Sequence, residues 1–413
     1  MKFISDFHIH GRFARACSKD ITLGKLEEYA RIKGINMLGV GDFTHPIWSK
    51  EIKESLKEDE NGILWSKNKF PFIWQTEISI VYSQGGRGRR LHHLVLAPNG
   101  GVADQITEWL KKKGRVDYDG RPIFGISSIQ FVDELMSISK EIEVIPAHCM
   151  TPWFGLYGSK SGFDSLKECF EEKEKYIHAV ETGISADPKM LAQFSHLKEK
   201  RLVSFSDNHS YWPWRLGREA TVLDLKEVSY ENIIKAIRTG NGFSGTIECP
   251  AHFGKYHFSG HRDCGVSFNP EETKKLKGVC PVCKKGLTIG VEDRVEELAD
   301  TKPKNVQNFI EVIPLTELIT SLYNIQQPGS KKVWEIYNNL IKNFESEYKI
   351  LLEVSYESLI KVIDEKLARL ILKNREQKLE VKPGYDGLYG EIILGKNEIA
   401  EKPVKKQKSL TDF

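Results

Sequence analysis

The sequence predicts an α/β protein, in which a sheet wrapped by helices is followed by a cysteine-rich module and a helical C-terminal module. Short apolar segments alternate with amphipathic segments up to residue 245, as in sheets covered by helices. Four of the seven cysteines then fall between residues 249 and 283. Apolar residues recur at helical steps between 305 and 380. We therefore divide the chain into residues 1–245, 246–300, 301–400 and a tail at 401–413.

The length and charge of the chain set broad limits. A chain of 413 residues suggests two or three domains at about 150 residues each. The net charge of +3 gives no overall electrostatic indication of nucleic-acid binding, although local lysine runs such as 111–113 could meet phosphate. No apolar run approaches the ~20 residues that span a bilayer, and Asp6 stands where a signal peptide would still be apolar. We therefore expect a cytoplasmic protein.

The first module contains seven strand candidates with helical segments between several of them. The strand candidates are residues 3–9, 37–41, 72–82, 91–97, 143–147, 179–182 and 202–206. The clearest amphipathic segments are residues 23–33, 102–112 and 128–139. This alternation favours a parallel sheet, either open or closed into a barrel.

Potential metal ligands stand on or just after these strands. The carboxyl ends of parallel strands in a barrel converge on one face, where active sites are built. Side chains two residues apart on a strand share a face, so His8 and His10 can reach one ion. The candidates in chain order are His8, His10, Asp42, Glu77, one of His92 and His93, His148, Glu181, Asp207 and His209. We therefore expect one shared metal site.

The residue types limit the chemistry of this site. Imidazole and carboxylate without thiolate suit zinc, manganese or iron. Two ions about 3.5–4 Å apart can activate a water and neutralise both the attacking and the leaving oxygen of a phosphoester. Phosphoester hydrolysis is therefore the first hypothesis, and a metal-dependent amidohydrolase is the competing one.

These motifs resemble a known family. The segments Asp6-Phe7-His8-Ile9-His10, Gly41-Asp42, Glu77, His93-Leu94-Val95-Leu96-Ala97, His148 and Ser206-Asp207-Asn208-His209 are similar, in order and type, to those of the polymerase and histidinol phosphatase (PHP) domain. The resemblance covers about residues 1–220. It implies a distorted (β/α)7 barrel with two or three divalent catalytic ions, taken as zinc, manganese or magnesium.

The resemblance also implies a ligand set for the catalytic ions. The implied ligands are His8, His10, Glu77, His93, His148, Asp207 and His209, with Asp42 in or beside the shell. His92 and His93 point to opposite faces of a strand, and the family pattern favours His93. The family commonly has a histidine where this chain has Phe43, and residues 14–19 lack another, so two ions are favoured over three. His45 is an open substitute for the missing histidine.

The cysteine-rich module predicts a structural zinc site. Two ligand pairs fit tetrahedral zinc, with four protein donors and no open position for water. The expected ligands are His261, Cys264, Cys280 and Cys283. Cys249, His252 and His257 compete with His261 as the fourth donor. The site serves either to hold the fold or to contact nucleic acid or a protein partner.

The C-terminal part predicts helices and a binding tail. Residues 310–323, 331–344 and 358–373 carry apolar residues at three- and four-residue steps. The tail contains Gln407, Leu410 and Phe413, which resemble the peptide box that binds the DNA sliding clamp, proliferating cell nuclear antigen. On one helical turn Leu410 and Phe413 would enter an apolar pocket.

Taken together, a PHP-type barrel, a zinc module, a helical module and a clamp box resemble the endonuclease Q family of DNA repair nucleases over the whole chain. The resemblance implies binding to double- and single-stranded DNA with damaged bases. It implies incision on the 5′ side of uracil, hypoxanthine, xanthine or an abasic site, leaving a 3′-hydroxyl and a 5′-phosphate. The alternatives are a PHP phosphoesterase acting on a small phosphate monoester, and a non-catalytic clamp-binding adaptor.

Overall fold

The computed structural model describes residues 1–395 and contains two compact units. The first comprises Met1–Val312 with Val381–Glu391, and the second comprises Ile313–Glu380 with residues 392–395. The first unit thus includes both the predicted barrel region and the cysteine-rich module. The second contains most of the predicted helical module, and the predicted tail at 401–413 lies outside the described residues.

The strands of the described chain are short, apart from two long ones that pair with each other. They are β1 Lys2–Asp6, β2 Met37–Gly39, β3 Lys57–Glu58, β4 Leu64–Trp65, β5 Pro71–Gln84, β6 Arg87–Ala97, β7 Ile123–Phe124, β8 Glu143–Pro146, β9 Ala179–Glu181, β10 Arg201–Val203, β11 Ala220–Asp224, β12 Phe243–Glu248, β13 Ser259–His261, β14 Val266–Phe268, β15 Phe309–Glu311, β16 Val381–Lys382 and β17 Glu391–Ile392. Each of the seven strand candidates of the first module overlaps one of these strands, but β1 ends at Asp6 and β10 at Val203, short of the predicted ends at residues 9 and 206.

The α-helices alternate with strands in the first unit and follow one another in the second. They are α1 Leu23–Lys33, α2 Pro46–Ser55, α3 Gly100–Lys111, α4 Ser128–Ile138, α5 Leu166–Phe170, α6 Pro188–Leu191, α7 Tyr230–Thr239, α8 Pro270–Lys275, α9 Val291–Leu298, α10 Leu315–Leu322, α11 Lys331–Phe344, α12 Glu347–Leu352, α13 Tyr356–Leu359 and α14 Glu365–Arg375. None of these described helices is long and apolar enough to cross a bilayer.

The main sheet is mixed, so the prediction of a parallel sheet is wrong in part. β1, β2 and β5 run parallel to one another, but β5 and β6 pair antiparallel, and so do β6 and β8 and β1 and β11. The order is β15-β12-β11-β1-β2-β5-β4-β3, with β6, β7 and β8 branching from β5, and β9–β10 form a separate parallel pair. Among the described residues these pairings do not trace a closed ring, so the barrel stays a prediction.

The antiparallel pair β5–β6 results from a tight turn that contains two glycines. Gly85 and Gly86 connect the strands with φ of 60° and 73°. Two-residue hairpin loops favour positive φ at both positions, because their twist then matches that of the strands. The glycine pair is therefore a sequence signal for a hairpin, whereas we had expected two parallel strands at this place.

A buried apolar core supports the strands. Leu94 and Leu96 of β6, Val203 of β10 and Ile233 and Ile237 of α7 belong to one cluster of buried residues. α1 begins at a side-chain cap, because Thr22 accepts a hydrogen bond from the backbone N–H of Lys25, and it ends at Gly34 with φ of 98°. Its bounds are those expected from sequence.

In the second unit, five helices replace the three that we expected. The predicted helix 331–344 coincides with α11, but segment 358–373 is split into α13 and α14. Asp364 causes this split, because its side chain accepts a hydrogen bond from the backbone N–H of Leu367 and caps α14. The start of segment 310–323 forms β15 instead of a helix.

Candidate metal centre and active site

Two buried histidines just after β1 form one wall of the candidate site. His8 Nδ1 lies 2.9 Å from Oε1 of Glu181, and His10 Nδ1 lies 2.9 Å from Oδ1 of Asp42. A carboxylate on one ring nitrogen fixes the orientation of the imidazole and leaves the other nitrogen for a metal. Glu181 and Asp42 therefore aim the Nε2 atoms of His8 and His10 into the site.

A first donor group forms around these Nε2 atoms. Glu77, in the middle of β5, places Oε1 3.4 Å from His8 Nε2 and Oε2 3.2 Å from His10 Nε2. Asp207 Oδ1 lies 3.6 Å from His8 Nε2 and 3.2 Å from His10 Nε2. The four donor atoms all lie within 4.8 Å of one another, which suits a single ion.

A second donor group shares Glu77 with the first. Glu77 Oε1 lies 2.8 Å from His92 Nδ1 and 3.2 Å from His148 Nε2. These three buried residues also form a group with donor atoms within 4.8 Å of one another. A carboxylate common to two groups can bridge two ions, so the described residues can hold a pair of neighbouring metals.

Three of the buried donor atoms have no hydrogen-bond partner among the described residues, as expected of atoms that bind a metal. His8 Nε2, His10 Nε2 and Asp207 Oδ1 are buried and make no hydrogen bond within the described part of the chain. Buried polar atoms normally have a partner, so each exception needs an explanation. A metal ion on these atoms supplies that partner, and the residues present therefore fit the group that the family resemblance implies.

His93 is not among these donors, which corrects the prediction. In the β5–β6 register, His92 pairs with Ser79 and His93 with Ile78, so His92 shares the face of Glu77, two residues before Ser79. His93 Nε2 lies 3.1 Å from Ser128 Oγ on the other face. There burial lowers the pKa of His93 to about 3, as expected of a histidine packed in an apolar environment.

Three further candidates lie beside the donor groups and not within them. Asp42 orients the ring of His10, and its Oδ2 accepts a hydrogen bond from the backbone N–H of Gly11 at 2.6 Å. The ring centroid of His209 lies 4.8 Å from that of His10, and His209 Nδ1 lies 3.1 Å from the carbonyl oxygen of Asp207. His45 stacks on Phe13 with the ring centroids 4.2 Å apart, so it does not replace the missing histidine.

Glu181 has a role that we did not assign to it from the sequence. Besides holding His8, it accepts the backbone N–H of His148 through Oε2 at 2.6 Å. One carboxylate thus links a residue of the first donor group to one of the second. Its position at the end of β9 marked it as a strand-end acid, but only the fold shows which groups it joins.

The site residues on three loops adopt left-handed backbone conformations. Asp42, His148 and Asp207 have φ of 42°, 29° and 45°, and each follows a buried strand segment. Positive φ is uncommon for residues other than glycine, and such strain clusters at functional sites. The tight turn at each strand end directs these side chains into the site, and no sequence pattern indicated it.

The loop that carries Asp207 is fixed by two charged residues. Asp6 accepts the backbone N–H of Ser206 at 3.0 Å and that of Gly217 at 3.0 Å. Arg218 Nε donates a hydrogen bond to the carbonyl oxygen of Ser206 at 3.1 Å. Asp6 of the first motif is therefore a positioning residue for the last one.

The electrostatics keep both acids ionised. Burial by itself would raise the pKa of Glu77, but the charges of His92, Arg121 and His8 hold it well below its usual range. Burial would likewise raise the pKa of Asp207, and His209 and His8 hold it well below that range. Two ionised carboxylates in a buried site attract divalent cations.

The predicted zinc ligands lie together in the cysteine-rich module. His261 Nδ1 lies 3.1 Å from Cys264 Sγ and 3.3 Å from Cys283 Sγ, and these residues form one donor group with Cys280. Hydrogen bonds from backbone N–H groups, first that of Cys283, lower the pKa of Cys280 to about 6, which favours the thiolate that metals bind.

The competing fourth ligands lie elsewhere. Cys249 Sγ donates to the carbonyl oxygen of Arg218 at 3.6 Å, and His257 Nε2 lies 3.5 Å from Glu292 Oε2. The ring of His252 lies 6.2 Å from that of His257. The structure thus places His261 in the group and these three outside it. Gln407, Leu410 and Phe413 of the predicted clamp box lie outside the described residues.

Comparisons with known proteins cover nearly all of the chain. The family model of the MJ0043 C-terminal domain matches residues 314–378. The uncharacterized protein MJ0043 of Methanocaldococcus jannaschii is 35% identical over 253 residues, which are 59% of this chain and 31% of that protein, so the match spans about a third of the relative's length. The uncharacterized protein YqxK of Bacillus subtilis is 29% identical over 95% of this chain and 99% of its own length.

Two solved structures resemble the chain from end to end. The lesion-specific endonuclease PfuEndoQ from Pyrococcus furiosus has a TM-score of 0.85, with 31% identity over 98% of each chain. Endonuclease Q in complex with a 27-mer duplex that carries an abasic lesion has a TM-score of 0.87, with 30% identity over 98% of this chain and 99% of that one. This protein therefore belongs to the endonuclease Q family of hydrolases that cleave phosphodiester bonds in DNA.

Proposed function

We propose that this protein is a metal-dependent DNA repair endonuclease. It incises the strand on the 5′ side of a deaminated base (uracil, hypoxanthine or xanthine) or an abasic site, and leaves a 3′-hydroxyl and a 5′-phosphate. The observation that carries the proposal is the pair of donor groups that share Glu77. A relative of this length and fold was solved with an abasic duplex, which supports a DNA substrate.

The donor types are those of a two-metal phosphodiesterase. Two divalent ions, such as zinc, manganese or magnesium, when bound to these groups would activate a water and neutralise the oxygens around the phosphorus. His8, His10, Glu77 and Asp207 would hold one of them, and Glu77, His92 and His148 the other. We also propose that β9 and β10 complete a barrel of the PHP type around this site.

The residues of the chain hold this site in one arrangement before the substrate arrives. Glu181 and Asp42 fix the rings of His8 and His10, and Asp6 with Arg218 fixes the loop before Asp207. Such preorganisation lowers the cost of reaching the transition state. In the reaction a water oxygen bonds to phosphorus in line as the bond from phosphorus to the 3′-oxygen breaks. The attacking water gives up one proton to solvent, and the departing 3′-oxygen keeps the electron pair of the broken bond and takes up a proton to become the 3′-hydroxyl.

Reading a damaged base requires that it leave the helical stack. The altered edge of a deaminated base is paired inside a duplex, so we propose that the nucleotide is turned outward, at a cost that is least for abasic or mispaired positions. Single-stranded DNA would avoid that cost and would also be a substrate.

The other modules support binding rather than chemistry. We propose that His261, Cys264, Cys280 and Cys283 hold one structural zinc, because four protein donors leave no position for water. We also propose that Gln407, Leu410 and Phe413 bind the DNA sliding clamp, proliferating cell nuclear antigen. A synthetic peptide of residues 401–413 should then bind the clamp, whereas the same peptide with alanine at Leu410 and Phe413 should not.

One assay tests the main proposal. An end-labelled duplex with a single uracil or abasic site is incubated with the protein, with and without a chelator, and with a small phosphate monoester in parallel. We expect one cut on the 5′ side of the lesion, no cut with chelator, and little monoester hydrolysis. His8→Ala and Asp207→Ala should lose incision and keep DNA binding. Asp104→Ala, an exposed residue paired with Lys53, serves as the control. Intact DNA with rapid monoester hydrolysis would overturn the proposal.

A further inference from the structure

An arginine from outside the family motifs reaches the candidate active site. Arg121 follows α3 and precedes β7, and its Nη1 donates to Oε2 of Glu77 at 3.0 Å. The same Oε2 lies 3.2 Å from His10 Nε2. The guanidinium group is thus hydrogen-bonded to the carboxylate that the two donor groups share.

The backbone around Arg121 is fixed on the amino-terminal side. Asp119 Oδ1 accepts the backbone N–H groups of Arg15 and Arg121, each at 3.1 Å. The N–H of Gly120 donates to the carbonyl oxygen of Phe13 at 3.1 Å. A Cβ on Gly120 would lie 2.3 Å from Oδ2 of Asp42, so only glycine lets this loop approach the residue that orients His10.

The backbone is also fixed on the carboxyl-terminal side. The carbonyl oxygen of Pro122 accepts the N–H of Ser79 at 3.1 Å, and β7 then pairs in parallel with β5 at Ser79 and Ile80. Arg121 is therefore held between the loop after β1 and the strand that carries Glu77. Its guanidinium is positioned before any substrate binds.

The charge and exposure of Arg121 suit a substrate contact. About a fifth of the side chain, 21%, is exposed, so Arg121 is not sealed inside the protein although its Nη1 contacts the buried Glu77. A guanidinium offers five N–H donors in a planar fork that matches the oxygens of a phosphate. It also stays charged at any working pH. The bond from Nη1 to Glu77 leaves further donors for such oxygens.

We propose that Arg121 binds a non-bridging oxygen of the scissile phosphate and stabilises the charge that develops on it during strand cleavage. This inference rests on the proposed function. The attack and the departure of the 3′-oxygen are unchanged, and the guanidinium adds a fixed hydrogen-bond donor beside the donor groups. A role confined to holding Glu77 is the alternative, and it predicts loss of metal when Arg121 is removed.

The test compares Arg121→Ala and Arg121→Lys with Arg115→Ala. Arg115 lies on the same loop, is exposed and pairs with Asp117, so it is a matched control. Single-turnover incision of an abasic duplex should fall about 100- to 1000-fold in Arg121→Ala, the loss typical of one oxyanion donor. It should fall less in Arg121→Lys and stay within about twofold in the control. Added methylguanidinium should restore part of the rate of Arg121→Ala.

Two readouts separate the possible failures. The metal content of the purified variants should match that of the wild type, and inorganic phosphate should bind the metal-loaded Arg121→Ala protein about tenfold more weakly in calorimetry. Wild-type rates or unchanged phosphate affinity in Arg121→Ala would overturn the proposal, and so would loss of metal without rescue. A wild-type protein that leaves lesion DNA intact would instead overturn the proposed function, and the phosphate titration would still decide the role of Arg121.

Discussion

His92 Nδ1 lies 2.8 Å from Oε1 of Glu77, which makes His92 and not its neighbour the histidine of β6 that faces the candidate metal centre. The two adjacent residues therefore have separable roles. His92→Ala should lose one of the two proposed active-site ions and nearly all incision. His93→Ala should keep both ions but lower the free energy of unfolding by about 1–3 kcal/mol, since it removes a buried, hydrogen-bonded ring.

Metal analysis by mass spectrometry and denaturant unfolding distinguish these outcomes. The assignment would be wrong if His93→Ala lost an active-site ion and His92→Ala did not. The comparison is well controlled, because both variants remove the same side chain from the same strand.

The carboxylate of Glu181 orients His8, so its loss should weaken metal binding without removing a ligand. We expect Glu181→Gln to lower the affinity of the first donor group about 10- to 100-fold, as found for partners that orient ligating histidines. Incision by Glu181→Gln should then recover when the metal concentration is raised. Glu199 is an exposed acid, and Glu199→Gln should show the same dependence of incision on metal concentration as the wild type. A rate that stays low at saturating metal would contradict this role.

The zinc group predicts a metal that is separate from catalysis. His261→Ala should lower the zinc content by one ion per chain and make residues 246–300 sensitive to limited proteolysis, because metal binding and folding are coupled in such modules. Cys249→Ala and His257→Ala should keep that ion. Loss of the ion in Cys249→Ala, with retention in His261→Ala, would reverse the assignment.

Glu219 predicts a pH dependence of stability. It is fully buried and pairs with Ser204 and the N–H of Cys249, and burial raises its pKa to about 8. An acid with a raised pKa in the folded state holds a proton that the unfolded state has released. Its contribution to stability is therefore complete below about pH 4.5 and decreases up to about pH 8.

Glu219→Gln should reduce this decrease, since a neutral amide does not titrate, while the buried neighbour Glu248, whose pKa burial also raises, keeps its own part. Between pH 5 and pH 8 we expect the free energy of unfolding of the variant to rise by roughly 1–4 kcal/mol relative to that of the wild type. Denaturant unfolding of both proteins at the two pH values measures it, with the exposed Glu231→Gln as control. Parallel pH profiles of the wild type and Glu219→Gln would show that Glu219 does not titrate in this range.

Much of the metal centre could be predicted from the sequence. The alternating pattern placed His8 and His10 on one face of the first strand; both in fact follow β1, which ends at Asp6, and both face the site. Glu77 lies on a later strand, and His148 and Asp207 follow later strands. Local rules of strand geometry and residue chemistry identify such ligands. The zinc donors could be predicted in the same way, because the spacing of Cys264, Cys280 and Cys283 is itself a local signal.

These local rules do not predict how the strands pair. The choice between His92 and His93 depends on which face of β6 meets Glu77, and the register with β5 sets that face. A shift of one residue would exchange the two side chains. The glycine pair at the hairpin indicated the pairing, but only the paired strands fix which atoms meet.

The sequence by itself thus determined the ligand types, their order and the family resemblance, since these depend on local pattern. The tertiary structure decided which groups share Glu77, which acids orient His8 and His10, and that Arg121 reaches the site. These relations join residues far apart in the chain, such as Glu181 and His8. They arise because folding places separate loops around one buried point, where each polar atom needs a partner.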